Sequence, residues 1–336
     1  MILYRNIALA LGVFLIAAGH VWAQAGPPRI KPPKKEKEPE TQALPLPPEP
    51  PAAVIAETDK LAFHISPLSA KGLLTQQVHD ALKALDRANG GATFIKLRAF
   101  VAGTGDMRRV AAIVSEEFSE KKMLLPAVTT VQVGGLPMEG AQVVIESISA
   151  GKKTLNPNGL AFFSAQHAPA LAAAAKAQDA VIVQITCFLG DLNQMDSARA
   201  AVSSAFPEAA ANFVQLTRLA VEPGFSCEGV GRLLKPGRSP ARLVFTGAQM
   251  AFGEKEPDLR LAYDRLGRAL AMVKASYADA LVMSVYSLNR AIADKAVALA
   301  PEFLGQAVRP ADSTQIVEGL PSLDAAVAIE LVAAGP

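Results

Sequence analysis

The chain has 336 residues, of which 51% are hydrophobic and 19% are charged, a composition that excludes a wholly disordered protein and supplies enough apolar side chains for more than one core. Its 33 basic and 31 acidic residues leave a formal net charge of +2, so electrostatics gives no reason to expect a nucleic acid or an acidic membrane as partner. Two cysteines and four scattered histidines exclude a disulfide scaffold and give no metal-site spacing, and we predict neither a metal nor another cofactor.

The N-terminus has the pattern of a secretory signal peptide. Arg5 precedes an uncharged, mostly apolar run of 12 residues from Ile7 to Ala18, too short to cross a bilayer, for which about 20 are needed. Small or apolar residues at Val21 and Ala23 predict cleavage after Ala23. We therefore predict a periplasmic or secreted protein with a signal peptide over 1–23 and no stable membrane anchor after cleavage; the alternative is an uncleaved anchoring or amphipathic helix.

The next segment, 24–57, is predicted to be a disordered, extended linker. Ten of the chain's 24 prolines lie between Gly26 and Ala56, beside a charged cluster at Lys34–Glu38. Proline lacks an amide hydrogen and fixes φ, so such a segment favours polyproline II conformation over packed structure.

The remaining sequence contains three related segments. The strand-like run at 94–101 (FIKLRAFV) matches the run at 182–189 (IVQITCFL), and apolar residues of a following helix match at the same offset of 88 residues. A third run begins at Ala280, which we align with Ala180 because an aspartate precedes each. We divide the chain into units 58–150, 151–235 and 236–334, the middle one being the most degenerate.

The first and third units also share a longer motif. Pro126–Thr130 leads to a Gly-Leu-Pro at Gly135 and then to Glu146, and Pro310–Thr314 leads to a Gly-Leu-Pro at Gly319 and then to Glu330. All of these spacings are identical in the two units, which is not expected by chance.

Each unit is predicted to be a two-layer α+β sandwich with the order β-α-β-α-β-β and both helices on one face of the sheet. Strands are predicted near 61–66, 159–166 and 242–249, upstream of amphipathic helices such as the one with its buried stripe at Leu74, Val78, Ala81 and Leu85. The other face of each sheet is also apolar. We predict that the three units cover these faces for one another.

From Asp59 to Ala334 the sequence resembles the Rid family, also called YjgF-like or endoribonuclease L-PSP-like proteins, the reactive intermediate deaminases. The third unit carries this likeness best, at Thr246–Gln249, Pro310–Thr314 and Leu320-Pro321. Family members are one-domain chains that form trimers with ligand pockets at the subunit interfaces. The resemblance therefore implies a chorismate-mutase-like fold in three tandem copies that form an intramolecular pseudo-trimer, and hence a monomer.

The resemblance also identifies positions where this chain departs from the family. The arginine that holds a substrate carboxylate in the family is Val128 in the first unit and Asp312 in the third. A family glutamate that positions water is replaced by Val144 and Ala328, while Glu146 and Glu330 match a second, structural glutamate. In the middle unit the sequence does not determine the alignment from 213 to 231, so Arg218 and Glu228 are not assigned to family positions.

These departures predict that the family's deaminase chemistry is absent. Together with the signal peptide, they predict an exported protein that acts as a binding module for a small metabolite or as a structural module. Predicted ligand-binding residues lie at strand ends and in the repeated motif: Val128, Thr129, Thr130, Asp312, Ser313, Thr314, Ser66, Ser164 and Thr246. One alternative is an enamine or imine deaminase with a single functional interface, using Arg309, Arg218 or Glu228. A ribonuclease-like activity is disfavoured by the charge balance and the few aromatic residues.

Cys187 and Cys227 both fall in predicted strands of the middle unit. In an oxidising compartment they either form a disulfide or remain as two buried thiols, and the sequence leaves both open.

Overall fold

The computed structural model describes residues 47–218 and 224–336, so the predicted signal peptide and most of the predicted linker lie outside the described residues. In the described ranges, fourteen strands form three sheets and six α-helices pack against them. This mixed α+β architecture is consistent with the predicted YjgF-like fold. None of the helices in these ranges is long and apolar enough to span a membrane.

The first sheet has four strands in the order β2-β5-β3-β4, with β3 and β4 parallel and the other pairs antiparallel. Its elements in chain order are β2 (Leu61–Ile65), α1 (Leu74–Asn89), β3 (Thr93–Ala102), α2 (Arg108–Glu120), β4 (Ala127–Val133) and β5 (Val143–Ala150).

The second sheet has the same connectivity, in the order β6-β9-β7-β8. Its elements are β6 (Leu160–Gln166), α3 (Ala168–Ala177), β7 (Ala180–Leu189), α4 (Met195–Ala205), β8 (Ala210–Gln215) and β9 (Phe225–Leu233).

The third sheet repeats this plan with six strands, in the order β1-β10-β14-β12-β13, and the additional strands are β1 and β11, which pairs with β14. Its elements are β1 (Ala53–Glu57), β10 (Arg242–Thr246), β11 (Gln249–Phe252), α5 (Glu256–Met272), β12 (Ala280–Ser287), α6 (Arg290–Leu304), β13 (Ala311–Ile316) and β14 (Ala325–Ala334).

Strand β1 corrects the predicted end of the linker, because residues 53–57 are ordered rather than part of a disordered segment. Ala53 pairs with Thr246 and Glu57 with Arg242 along the edge of β10. The run AVIAE contains no proline, so its amides are free to pair, and its apolar side chains on both faces pack against the neighbouring clusters. The proline-rich composition therefore predicts an extended tether only up to this point.

The helices form because their apolar residues recur with helical spacing and face the sheet. In α1 the predicted stripe of Leu74, Val78, Ala81 and Leu85 is buried in the core of the first sheet, and the helix ends at Gly90, whose φ of 59° is the left-handed conformation that glycine adopts most easily. Each sheet has such a core between itself and its two helices.

The opposite faces of the three sheets pack against one another, as the apolar composition of both faces predicts. One cluster joins Phe100, Phe188 and Tyr286, and a second joins Ile95, Leu160 and Phe245, each with one residue from every sheet. Fully burying side chains of this size contributes on the order of 1.5–3 kcal/mol each. The three sheets therefore share two apolar cores in addition to those beneath the helices.

The strand registers give a residue-by-residue correspondence between the sheets. Arg98 lies opposite Glu146, Thr186 opposite Glu228, and Ser284 opposite Glu330. A bulge occurs at the same place before each pair, between Phe94 and Lys96, Ile182 and Gln184, and Ala280 and Val282. The sequence alignment of the first two units is thereby confirmed through these strands.

The alignment of Ala280 with Ala180 is wrong by two residues. By register Ala280 corresponds to Ile182, because β12 begins at the residue next to the bulge, whereas β7 has two further residues, Ala180 and Val181, before it.

Candidate functional site

A layer of charged side chains lies between the two apolar clusters that the sheets share. It consists of Lys96, Arg98, Glu146, Glu228 and Glu330, which we call the polar layer. Lys96 and Arg98 are two residues apart on β3 and therefore face the same side of the strand, away from the helices. The three glutamates come from β5, β9 and β14, one from the last strand of each sheet.

Arg98 joins the first and second sheets. Its Nε donates to Glu146 Oε2 at 2.8 Å, its Nη1 forms an ion pair with Glu228, and its Nη2 donates to Thr186 Oγ1 at 3.0 Å. Nη1 also donates to the hydroxyl of Tyr286 in the third sheet, at 3.0 Å. One guanidinium thus contacts side chains of all three sheets.

Lys96 joins the first and third sheets. Its Nζ donates to Glu330 Oε2 at 2.5 Å, to the Thr246 carbonyl oxygen at 2.5 Å and to Thr129 Oγ1 at 2.6 Å. Tyr286 donates to the other oxygen of Glu330, Oε1, at 2.9 Å. All three donors of the ammonium group are therefore satisfied by protein oxygens.

Burial and charge act against each other on the pKa values of this layer. Burial lowers the pKa of Lys96, and Glu330 offsets only part of that effect. Burial alone raises the pKa of Glu330, but the charges of Lys96 and Arg98 and the hydrogen bonds from Lys96 and Thr129 outweigh it and leave that pKa below its ordinary value. The pKa of Arg98 is raised by Glu146 and Glu228 in spite of burial. Glu330 is therefore ionised at neutral pH.

Neighbouring sheets meet at three corresponding interfaces, β4 against β10, β8 against β2 and β13 against β6. At the first interface, Lys96 bridges the two sheets. The backbones also approach closely there, because a Cβ atom at position 247 would lie only 3.1 Å from the Val128 carbonyl oxygen. At the second, Asn212 and Thr186 donate to Glu146 at 2.7 and 2.6 Å.

The third interface, between the second and third sheets, contains a cavity of about 100 Å³. The polar layer forms part of its wall, together with aromatic residues of both sheets such as Phe162 and Phe245. The backbone amide of Asp312 donates to Ser164 Oγ at 3.1 Å and links β13 to β6 beside it. Because the Asp312 side chain is exposed, it lies where the cavity reaches the surface.

The cavity brings together several residues that the sequence predicts as ligand contacts. Ser164, Thr246, Asp312 and Ser313 all line it, as does Glu228, which the sequence left unassigned. The register now places Glu228 at the position of Glu146 and Glu330.

The other predicted ligand contacts lie away from this cavity. Thr129 is buried and accepts from Lys96, whereas Ser66 is buried within the first sheet, where its Oγ accepts from the Ile145 amide at 2.9 Å. Val128 packs against the core beneath the helices of the first sheet. Thr130 is buried and Thr314 half-buried, and neither lines the cavity.

The two arginines predicted as alternative catalytic groups are both exposed. Arg309 donates to the carbonyl oxygens of Gln306 and Val308 in its own loop, at 2.6 and 3.0 Å. Arg218 forms an isolated bridge with Ile316. Neither lines the cavity.

Lys96, Arg98 and Gln184 belong to the site but were not predicted from the sequence. A signal was present, since Lys96 and Arg98 alternate with Leu97 and Ala99 in an otherwise apolar strand and so place two charges on the face away from the helices. Those charges are buried only because another sheet packs on that face. The sequence of a single unit does not indicate that such packing occurs.

Cys187 and Cys227 form a disulfide between the facing strands β7 and β9. Each adjoins a residue of the cavity wall, Thr186 and Glu228 respectively. Of the two arrangements left open by the sequence, the structure contains the bridge. Elsewhere in the described ranges, no group of three His, Cys, Asp or Glu side chains is placed to hold a metal ion.

Similar solved structures include members of the YjgF and Rid families. One, a member of the YjgF/YER057c/UK114 family from Mycobacterium tuberculosis, is 24% identical, with 27% of this chain and 78% of that chain covered and a TM-score of 0.26. A member of the conserved Rid protein family from Yersinia pestis is 16% identical, with 27% and 79% covered and a TM-score of 0.26. A chorismatase is 13% identical, with 84% and 77% covered and a TM-score of 0.46.

These likenesses amount to a distant relationship in fold to YjgF and Rid proteins. No family model matches the sequence, and no curated protein matches it.

Proposed function

We propose that this chain is an exported, triplicated Rid-like protein that lacks the family's carboxylate-binding arginine and binds a small molecule in the cavity between its second and third units. The three units, 58–150, 151–235 and 236–334, form an intramolecular pseudo-trimer in this proposal, with β1 added to the third. The main support for this proposal is the cavity at an inter-unit interface, where the resemblance to the family implies a ligand pocket.

Ring closure supports the pseudo-trimer. Three isolated bridges connect the units in a cycle: Gln132 with Gly319, Gln215 with Gly135, and Ile316 with Arg218. The first member of each pair lies three residues after Thr129, Asn212 or Ser313, which correspond by register. Each unit therefore joins the next through the same two positions, as the subunits of a closed trimer do.

The register also supports the absence of the arginine from all three units. Leu97 pairs with Val128, Ile185 with Ala211, and Met283 with Asp312. Ala211 thus occupies the position in the middle unit that the sequence alignment left open. None of the three side chains offers the bidentate fork that recognises a carboxylate, and Asp312 repels one.

Export is supported by the sequence pattern of the signal peptide and by the disulfide, since such bridges persist in oxidising compartments. The only tryptophan, Trp22, precedes the predicted cleavage site. The mature protein should lack tryptophan emission and begin at Gln24 by mass spectrometry. Retention of Trp22 in protein purified from the periplasm or medium argues against cleavage.

Two experiments test the proposal as a whole. Sedimentation of the full mature chain should give a compact monomer at all concentrations; an elongated shape or a stable oligomer argues against a closed pseudo-trimer. A crystallographic fragment screen should then place small molecules in the cavity, because cavities of this kind bind ligands that complement their walls. A screen that leaves the cavity empty while fragments occupy other surfaces refutes the binding role.

The deaminase alternative makes a different prediction. Incubation with amino acids that generate enamines in situ should give no accelerated release of ammonia. Turnover that is lost in Arg309→Ala, Arg218→Ala or Glu228→Gln replaces the binding proposal with an enzyme.

A further inference from the structure

We infer that the cavity selects a small organic cation, an ammonium group on a short hydrocarbon body, over an anion of the same size. This inference rests on the proposed binding function and names the chemistry of its ligand. It reverses the preference that a carboxylate-binding arginine confers.

The charge of the cavity wall favours a cation. Two cationic side chains, Lys96 and Arg98, face four anionic ones, Glu146, Glu228, Glu330 and Asp312, so the wall carries a net charge of −2. Glu146 and Glu330 are buried, where water screens charge poorly, and a bound cation reduces this imbalance.

Both cationic side chains of the wall already form hydrogen bonds and ion pairs with protein oxygens. Lys96 donates to Glu330, Thr129 and the Thr246 carbonyl, and Arg98 pairs with Glu146 and Glu228. An anionic ligand would have to displace a carboxylate from one of them. It would also enter beside Asp312, which adds repulsion.

The wall also holds polar atoms that have no partner within the described part of the chain. Gln184 and Ser284 are 7% and 6% exposed, and no hydrogen bond is made by either side chain, although their polar atoms are not sealed from the cavity. Glu228 accepts from Arg98 through Oε1 alone, which leaves Oε2 as an open acceptor. An ammonium group has three donors and no acceptor, and these oxygens are suitable partners for it.

The position of Val282 explains why no protein cation meets these groups at the third interface. By register Gln184 and Val282 correspond to Lys96, whose long side chain spans the first interface. At the third interface the corresponding residue is Val282 of β12, which places no cation there, whereas Gln184 of β7 corresponds to Lys96 at the second interface and also lines the cavity. A ligand cation would supply there the charge that Lys96 supplies between the first and third sheets.

The size and apolar part of the cavity limit the body of the ligand. Phe162, Phe245 and Val332 contribute apolar surface to the cavity wall. A cavity of about 100 Å³ has room for a short hydrocarbon body. A three-carbon chain is short enough to enter this space, and longer ligands can extend toward Asp312 at the surface.

The test compares three probes of equal length that differ in charge: n-propylammonium, propan-1-ol and propionate, titrated into the mature protein at constant ionic strength. Binding is followed by the backbone amide shifts of Gln184 and Ser284. Propylammonium should bind at these amides at least tenfold more tightly than propanol, and propionate should give no saturable shift there.

Three variants identify the groups responsible. Asp312→Asn should weaken propylammonium binding roughly fivefold, whereas Asp324→Asn, an exposed aspartate in the turn before β14, should leave it unchanged. Glu228→Gln should weaken it by tenfold or more. If Glu228→Gln does not fold, Gln184→Leu, which removes one of the unpartnered groups, provides the second measurement and should weaken binding at least threefold.

The outcomes separate this inference from the function on which it rests. Propionate bound at the cavity amides as tightly as propylammonium overturns the cation preference and leaves the binding role intact. Propylammonium binding that is insensitive to Asp312→Asn and to the second variant also overturns it. If no probe shifts these amides and the fragment screen leaves the cavity empty, both proposals fail.

Discussion

Replacing Lys96 with methionine tests the polar layer most directly. The substitution keeps much of the side-chain length but removes the charge that faces Glu330. Glu330 then keeps hydrogen bonds from Tyr286 and Thr129 but loses the cation 2.5 Å from its Oε2, and the Thr246 carbonyl loses a donor. Removing one partner of a buried ion pair costs about 3–5 kcal/mol, because the remaining charge is buried without compensation.

We expect Lys96→Met to lower the free energy of unfolding by about 3 kcal/mol, at the lower end of that range, since two hydrogen bonds to Glu330 survive. Glu330→Gln added to Lys96→Met removes the uncompensated charge and should restore at least about 1 kcal/mol. The two substitutions must therefore be non-additive.

The assay is urea-induced unfolding at neutral pH, followed by far-ultraviolet circular dichroism. Lys121→Met is the matched control, because Lys121 pairs with Glu117 and Asp86 on the surface and such pairs contribute less than about 1 kcal/mol. The reasoning is refuted if Lys96→Met differs from the wild type by no more than the control does, or if the double variant equals the sum of the two single ones.

Three further predictions concern other parts of the structure. The pKa of Glu330 is lowered on folding, so the unfolded chain takes up its proton first as pH falls through about 4.5. The stability that ionised Glu330 contributes is therefore lost in acid. The unfolding free energy of Glu330→Gln should fall less steeply between pH 6 and pH 3 than that of the wild type. Removing the disulfide by Cys187→Ala and Cys227→Ala should cost up to about 4 kcal/mol for a loop closed over 40 residues, and the denatured, unreduced wild type should titrate no thiols. Gly247→Val should lower the free energy of unfolding, measured by chemical denaturation, by about 1–3 kcal/mol because the new side chain meets the Val128 carbonyl. The control Gly151→Val should lower it less, since the nearest neighbour there is a side-chain carbon at 3.8 Å. Equal effects would contradict the close approach of the first and third sheets.

The sequence predicted the units better than their contacts. Strand composition, helical stripes and the repeated motif around Pro126 and Pro310 depend on local spacing, and the structure has the corresponding strands and helices near the predicted positions. The middle unit was harder because Ala209-Ala210-Ala211 replaces the proline motif, leaving no landmark before Glu228. Its register comes only from pairing with β7.

The candidate site was predictable in part for the same reason. Ser164, Thr246, Asp312 and Ser313 were found because they lie at strand ends or in the repeated motif. The roles of Lys96 and Arg98 depend on carboxylates 48 to 234 residues away, and no local pattern indicates which sheet will cover a charged strand. Burial between sheets is a property of the whole chain.

In the pseudo-trimer that we propose, the single guanidinium of Arg98 is an arrangement that three identical chains could not form. In an assembly of identical chains, any residue facing the central axis appears three times, so an arginine there would bring three like charges together. In this chain Thr186 and Ser284 occupy the positions that correspond to Arg98, and Arg98 forms ion pairs with glutamates of two different sheets. In the proposed pseudo-trimer, covalent linkage of the copies removes the symmetry constraint at the axis, so a single substitution changes the charge there by one unit rather than three.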